Sequence, residues 1–239
     1  MEITENKKRV GFFTSSGIAA LMTVSKDRKS FGAPALTYIE EKRMEKRLGR
    51  SLNTEISAKP TSWGKLVENR VFELLGLEYK LSSQETFVHP AVGNWSGSPD
   101  GNKFDEGKTV FDIKSPWTMK SFCQLADSKT IEELRENHKE GDTYYWQLVS
   151  NAILTDSKFA ELIVYCPYKS ELEAIREYAR NYDGADQNKF AFINWAQDNE
   201  LPFLMEGGHY KNLNIIRFEV PQADKDLLTE KVIAAGRLL

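Results

Sequence analysis

The segment Thr109-Val110-Phe111-Asp112-Ile113-Lys114 limits what this chain can fold into more than any other. It is rich in β-forming residues and ends at Ser115-Pro116, so it predicts a strand with a sharp stop. The two-residue period of a strand sends Asp112 and Lys114 to one face and Ile113 to the other. Ile113 then anchors the strand in a core, while a carboxylate and an ammonium share a site. Upstream, Asn94-Trp95-Ser96-Gly97-Ser98 leads into Pro99-Asp100-Gly101-Asn102, a turn signal. The two stretches together predict a hairpin, with Asn94 to Ser98 beside Thr109 to Lys114 and polar residues at its open end. Hard divalent cations such as Mg²⁺ prefer oxygen ligands, and Asp100 with Asp112 supplies them without histidine or thiolate. Beside such a site Lys114 would position or deprotonate an attacking water and stabilise charge on a phosphate. The plainer alternative is a common turn followed by a strand that carries a weak surface ion pair.

A third element lies upstream. In the stretch Thr61 to Gly76, Leu66, Val67, Val71, Leu74 and Leu75 follow helical spacing; Thr61 or Ser62 caps the start and Gly76 stops it. Glu68 follows Val67 and lies near the edge of the apolar stripe, where a carboxylate can face a cleft. Glu73 is the better candidate for a merely solvated glutamate. The order of a helix with Glu68, then Pro99-Asp100, then Asp112-Ile113-Lys114 resembles the PD-(D/E)xK nuclease superfamily. With its flanks the pattern is more specific. Arg9 to Ser16, Trp63-Gly64-Lys65 with Glu68-Asn69, Ser98 to Gly101, Asp112 to Pro116 and Tyr144-Tyr145-Trp146-Gln147 occur in the order found in the phage lambda exonuclease and YqaJ-like viral recombinase family. The match runs from about residue 9 to about residue 155.

That resemblance implies a restriction-endonuclease-like core and a set of roles. Asp100 and Asp112 look like the metal-binding carboxylates, Glu68 like the helix glutamate that joins them, and Lys114 like the catalytic lysine. The backbone carbonyl between the last acid and the lysine, here Ile113, joins the ligand set, and two Mg²⁺ ions, or Mn²⁺ in their place, are the implied cofactors. Arg9, Ser16 and Ser98 match the pocket for the 5′-phosphate of the digested strand, and Gln147 matches a glutamine that helps arrange the catalytic site. The family also implies double-stranded DNA ends as substrate, a single-strand annealing protein as partner, and a ring-shaped trimer. Two departures stand out. The final acid is Asp112 where the lambda pattern has glutamate, a swap the superfamily signature allows, and Asn151 stands four residues after Gln147, where that pattern has tyrosine.

The phosphate pocket also has a chemical basis. Arg9 offers a planar fork of donors, and Thr14-Ser15-Ser16-Gly17 reads as the capped start of a helix, where free amides and the dipole favour an anion. An ordinary N-cap with a surface arginine beside Lys7 and Lys8 is the alternative. Gln147, in turn, can be read as a lone polar residue on a mostly apolar helix.

At 239 residues with 41% hydrophobic content, the chain can bury a sizeable core as one α/β domain spanning residues 1–239. Cys123 and Cys166 are far apart and form no metal-spaced cluster, so both read as reduced, buried thiols. That suits a cytoplasmic protein, and the resemblance implies the bacterial host cell of a phage or prophage. The first nine residues hold no apolar run of signal-peptide length, and no stretch approaches a membrane span, so no membrane partner is expected. The net charge of -3 excludes a protein that coats DNA indiscriminately. DNA contact would need a local basic surface. The candidates are Lys7, Lys8 and Arg9, and the helix Ala35 to Arg50 with Arg43, Lys46, Arg47 and Arg50. Glu40, Glu41 and Glu45 dilute that helix, so a solvated, salt-bridged face is the favoured reading of it.

Along the chain, helices are expected from near Ser16, after Pro34, and at Thr118 to Ala126, Ile131 to Asn137, Thr143 to Leu154, Ser170 to Asn181 and Asp224 to Leu238. Strands are expected at Thr86 to His89, Asn94 to Ser98, Thr109 to Lys114, Phe159 to Cys166 and Asn212 to Val220. The mixed order predicts an α/β sandwich with a central mixed β-sheet flanked by helices. His89, His138 and His209 are isolated and offer no metal site or triad, and the tryptophans read mostly as core, with Trp117 beside the Asp-x-Lys strand able to stack at a DNA end. The function that gathers these readings is a Mg²⁺-dependent exodeoxyribonuclease, digesting one strand of linear duplex from its 5′ end. A structure-selective or restriction-type endonuclease on the same core is the enzyme alternative; an inactive DNA-binding subunit is the non-enzyme one.

Overall fold

Two sheets share the core of the molecule, and the strands that build them differ in length for a reason visible in the sequence. The computed structural model describes residues 8–26, 30–52, 59–82, 85–184 and 187–239, so Lys7 lies outside the described residues. In chain order the strands are β1 (Phe13–Thr14), β2 (Tyr79–Leu81), β3 (Phe87–Val88), β4 (Trp95–Gly97), β5 (Gly101–Lys103), β6 (Thr109–Lys114), β7 (Phe159–Tyr165) and β8 (Leu213–Glu219). The helices are α1 (Ala33–Leu48), α2 (Lys59–Leu74), α3 (Met119–Asp127), α4 (Ile131–Asn137), α5 (Gly141–Thr155), α6 (Leu172–Asn181), α7 (Gln187–Trp195) and α8 (Gln222–Gly236), with a 3-10 helix at Ser15–Met22.

The larger sheet runs β2-β5-β6-β7-β8 and is mixed: β6 and β7 pair in parallel, and the other pairs are antiparallel. A parallel pair needs a crossover, and α3, α4 and α5 supply it. β6 and β7 are buried nearly throughout, which requires the near-continuous apolar sequences they carry. Val110, Leu162 and Val164 pack on one face into a core with residues of α3, α5 and α8. Phe111, Ile113, Ile163 and Tyr165 pack on the other with α2, α6 and α7. This is the expected α/β sandwich, and Ile113 anchors its strand as the period predicts.

The smaller sheet has the order β1-β4-β3, with β1 parallel to β4. It docks on α5 through polar bonds inside the core: Trp95 Nε1 donates to Ser150 Oγ at 2.9 Å, and Ser15 Oγ lies 2.8 Å from the same oxygen.

The expected hairpin needs correction. β6 pairs with β5, not with the Asn94 to Ser98 strand, and the reversal lies after Lys103, where Gly107 and Lys108 take positive φ of 96° and 50°. Gly101 and Asn102, read as turn residues, are therefore in a strand; Pro99 is instead where the chain leaves one sheet for the other. β1, β2 and β5 are only two or three residues long, too short to leave a periodic signal, and α7 was also unexpected. The helix near Ser16 starts at Ser15 and is of the tighter 3-10 kind. α1 is not solvated all round: Arg43 pairs with Glu40 outside, but Lys42 and Glu45 are buried. Cys166 is buried as expected, whereas Cys123 is partly exposed, and both are free thiols. Trp63, Trp95 and Trp146 are core residues, while Trp195 is 85% exposed. Among the described residues no helix is long and apolar enough to cross a membrane.

Gly97 marks the closest approach of the small sheet to α5. A Cβ there would meet Ser15 Oγ and would lie 2.7 Å from Leu154 Cδ1 and 2.8 Å from Asn151 Oδ1. Gly97→Ala is expected to destabilise the fold by about 2 kcal/mol through overpacking, read as a lower urea midpoint with an unchanged slope.

Candidate active site

Asp112 sits in a central strand, only 3% exposed, and its surroundings are built to hold it. Gln147 Nε2 donates to Asp112 Oδ1 at 2.7 Å. Lys114 Nζ pairs with Asp112 Oδ2 at 2.5 Å. Lys114 Nζ also donates to Gln147 Oε1 at 3.3 Å. A carboxylate can only accept and an ammonium can only donate, so the two ends of the Gln147 amide have fixed orientation. Gln147 is thus a bridge within the site rather than a stray polar residue on α5.

Asp100 enters from the other side. It stands between Pro99 and β5, and its Oδ2 accepts the Ile113 backbone N–H at 2.6 Å. This bond ties the start of β5 to the strand that carries Asp112 and Lys114. Glu68 comes from α2, whose inner face is Leu66, Val67 and Val71; the glutamate stands at the edge of that stripe, partly buried. Burial and then the charge of Asp112 push the Glu68 carboxyl up from its usual range, and Lys114 and Lys65 oppose this. Asp100 is pushed well up, first by burial and then by Asp112 and Glu68. Burial works against the Lys114 ammonium, but Asp112, Asp100 and Glu68 outweigh it and raise its pKa. Lys114 is therefore a cation in this arrangement, suited to hold water and phosphate oxygens rather than to take a proton.

Glu68, Asp100, Asp112, Ile113, Lys114 and Gln147 are thus brought together. Among the described residues no three His, Cys, Asp or Glu side chains form a ready-made metal cage. The donor set nonetheless fits a hard divalent cation. Three carboxylates repel one another in a partly desolvated cleft, and Asp112 Oδ2 retains acceptor capacity. Glu68, Asp100, Asp112 and the Ile113 carbonyl are the atoms that could hold it.

The other three predicted residues gather at the small sheet. Arg9 lies in the turn entering β1, where Phe12 N–H donates to Arg9 O at 3.2 Å. Ser16 is exposed, its Oγ 3.3 Å from Thr14 Oγ1. Ser98 follows β4, its Oγ 3.0 Å from Thr86 Oγ1. The β1 and β4 register sets Thr14 level with Ser96, so Ser16 and Ser98 leave the same end of the sheet.

Two neighbours were named in the sequence but given no role there. Lys114 Nζ lies 5.2 Å from the centroid of Tyr144, whose ring stacks on His138 and whose hydroxyl donates to Glu140 at 2.7 Å. Tyr144 precedes Gln147 by three residues on α5, a spacing that puts both on one face and was legible. Asn151 is fully buried, with neither side-chain polar atom hydrogen-bonded, and its amide faces Gly97. It stands where the lambda pattern has tyrosine.

Asp100→Asn keeps an acceptor for Ile113 N–H and removes one of the clustered charges. An acid with a raised folded-state pKa destabilises the fold increasingly as pH rises from its unfolded value through its folded one. In chelator at pH 8 the variant is expected to have a higher thermal midpoint than the wild type, by roughly 2–4 °C for each kcal/mol relieved, and the gain should shrink towards pH 4. A lower midpoint at pH 8 would mean that the carboxylate supports the fold.

No family model matches the sequence, and no curated protein matches it either. Solved structures do. The alkaline exonuclease LHK-Exo from Laribacter hongkongensis, in complex with dAMP, is 18% identical, with a TM-score of 0.58 over 97% of this chain and 90% of that one. A phage-related exonuclease from Haemophilus somnus 129PT is 16% identical, with a TM-score of 0.61 over 95% of this chain and 92% of that one. The likeness carried by the motifs therefore extends to the fold over nearly the whole chain, and this protein is built as those exonucleases are, on a restriction-endonuclease-like α/β core.

Proposed function

We propose that the chain is a Mg²⁺- or Mn²⁺-dependent exodeoxyribonuclease that digests one strand of linear duplex DNA from its 5′ end and leaves a 3′ single strand for recombination by annealing. The observation that carries this reading is the cluster of Glu68, Asp100 and Asp112 around the Lys114 ammonium, with Gln147 clamping Asp112. Its fold neighbours support it, since they are exonucleases and one is bound to dAMP, a deoxynucleoside monophosphate such as stepwise digestion releases.

A bound divalent cation would supply Lewis acidity, acidifying water and offsetting charge that builds on the phosphate. The residues of the chain do the positioning. Gln147 fixes Asp112, the Ile113 amide fixes Asp100, and Lys114 orients the water and donates to phosphate oxygens as they gain charge. Water attacks phosphorus in line, one P–O bond forms, and the bond to the 3′ oxygen breaks with a proton going to the leaving oxygen. The product is a 5′-mononucleotide, and the shortened strand again ends in a 5′-phosphate. Arg9, Ser16 and Ser98 would hold that phosphate. The motif likeness also supports a ring-shaped trimer, a single-strand annealing partner and work in the cytoplasm of a bacterial host.

End-labelled linear duplex, with or without 5′-phosphate, tests this with Mg²⁺ or chelator. Label is expected to leave first from the 5′ end, only with metal, while covalently closed circles survive. First release from the 3′ end reverses the polarity, and cut circles turn the reading to an endonuclease. Lys114→Ala is expected to lower turnover at least a hundredfold while DNA binding persists; wild-type turnover would remove Lys114 from the mechanism. Arg9→Ala should weaken the preference for 5′-phosphorylated ends, and an unchanged preference would remove it from the pocket.

A further inference from the structure

The end of the small sheet that carries Ser16 and Ser98 has a wall supplied by α1, and two of its features have no structural need that is met. Tyr38 OH accepts the Thr14 backbone N–H at 2.9 Å. Among the described residues its own proton has Thr14 Oγ1 as the acceptor near it, at 3.4 Å, and Thr14 Oγ1 lies 3.3 Å from Ser16 Oγ. These separations are long for O–H···O bonds, so the three hydroxyls leave donor capacity unused. Level with Thr14 on β4, Ser96 is fully buried, and its Oγ has no hydrogen-bond partner among the described residues. A buried hydroxyl left unpaired is costly unless something else completes it.

The same wall is tied to Arg9. Glu45 Oε2 accepts the Gly11 N–H at 3.0 Å and the Lys42 ammonium at 2.9 Å, all three buried, so the turn that delivers Arg9 is fastened to the face of α1 that carries Tyr38, further along the helix. The Arg9 charge reaches the Tyr38 hydroxyl, but burial outweighs it and keeps the phenol protonated as a donor. Gly17 completes the fit, since a Cβ there would lie 2.6 Å from Tyr38 OH. The first amides of the 3-10 helix therefore come close to this hydroxyl, and Thr14, its N-cap, makes no side-chain capping bond.

We propose that Tyr38 is a ligand of the terminal 5′-phosphate, donating its phenolic proton to a phosphate oxygen beside Arg9 and Ser16. This rests on the reading of the Arg9, Ser16 and Ser98 cluster as the 5′-phosphate pocket. Tyr38 then sets specificity: it distinguishes a phosphorylated end from a hydroxyl end, and Lys42 with Glu45 presets the geometry by holding its helix and the Arg9 turn together.

The test is binding in EDTA of a short fluorescent duplex with either 5′-phosphate or 5′-hydroxyl ends, read by anisotropy. In Tyr38→Phe the ratio of affinities, phosphorylated over hydroxyl, is expected to fall about tenfold. Gly17→Ala, which crowds the hydroxyl and leaves the tyrosine in place, should lower the same ratio and serves if Tyr38→Phe does not fold. An equal loss for both ends would make Tyr38 a structural residue and overturn the proposal. So would an intact ratio in Tyr38→Phe when Arg9→Ala abolishes it, and in that case the pocket reading stands. A wild-type protein with no preference between the ends would sink the pocket and Tyr38 together.

Discussion

A carboxylate in the middle of a central strand is the constraint around which this molecule is arranged. Asp112 lies on β6 between its neighbours β5 and β7 and beneath α5, so water hardly solvates it. Buried charge persists only where it is paired and hydrogen-bonded. Gln147 answers one oxygen and Lys114 faces the other, and each also bonds its partner. That closed triangle dictates where α5 must lie on the sheet. It also explains why a lysine can point into the protein two residues from a buried aspartate.

The second organising point is Pro99. It is buried, has no N–H to satisfy, and holds a fixed φ, so the chain can pass from the small sheet to the large one without leaving an unpaired amide at the crossing. Ser98 stays with one sheet and Asp100 with the other. A residue that reads in the sequence as part of a hairpin turn is, in three dimensions, the junction between the small sheet, which Ser98 ends, and the large sheet, which Asp100 begins.

Much of this was legible from residue order. β6, β7, β8 and α2 to α6 carry strong periodicity over enough residues to be read, and Asp112 and Lys114 share a face because a strand allows nothing else. Strands of two or three residues leave no such trace. β5 in particular begins with Gly101-Asn102, turn formers by composition, yet it pairs on both sides, with β2 and with β6. α1 misled in a different way. Its charges suggested a solvated face, yet Ala35, Ile39, Lys42 and Glu45 follow one another at helical spacing, so the inner face includes an ion pair. Charge type suggested the surface; position on the helix decided otherwise. Tyr144 was part of the matched motif but drew no role of its own, because an aromatic on a mostly apolar helix gives no signal that separates packing from a site.

Helix α5 has one further consequence. It carries Gln147, which grips Asp112, and three residues later Ser150, which bonds both Ser15 at the start of the 3-10 helix and Trp95 of the small sheet. Along an α-helix three residues span roughly 4.5 Å of axis. The separation between the small sheet, with Ser16 and Ser98 at its end, and the carboxylate cluster of Glu68, Asp100 and Asp112 is therefore set by a rigid rod, not by a loop. On the proposed reading α5 acts as a gauge: the bite taken from the strand is a molecular length built into one turn of helix, the same at every step.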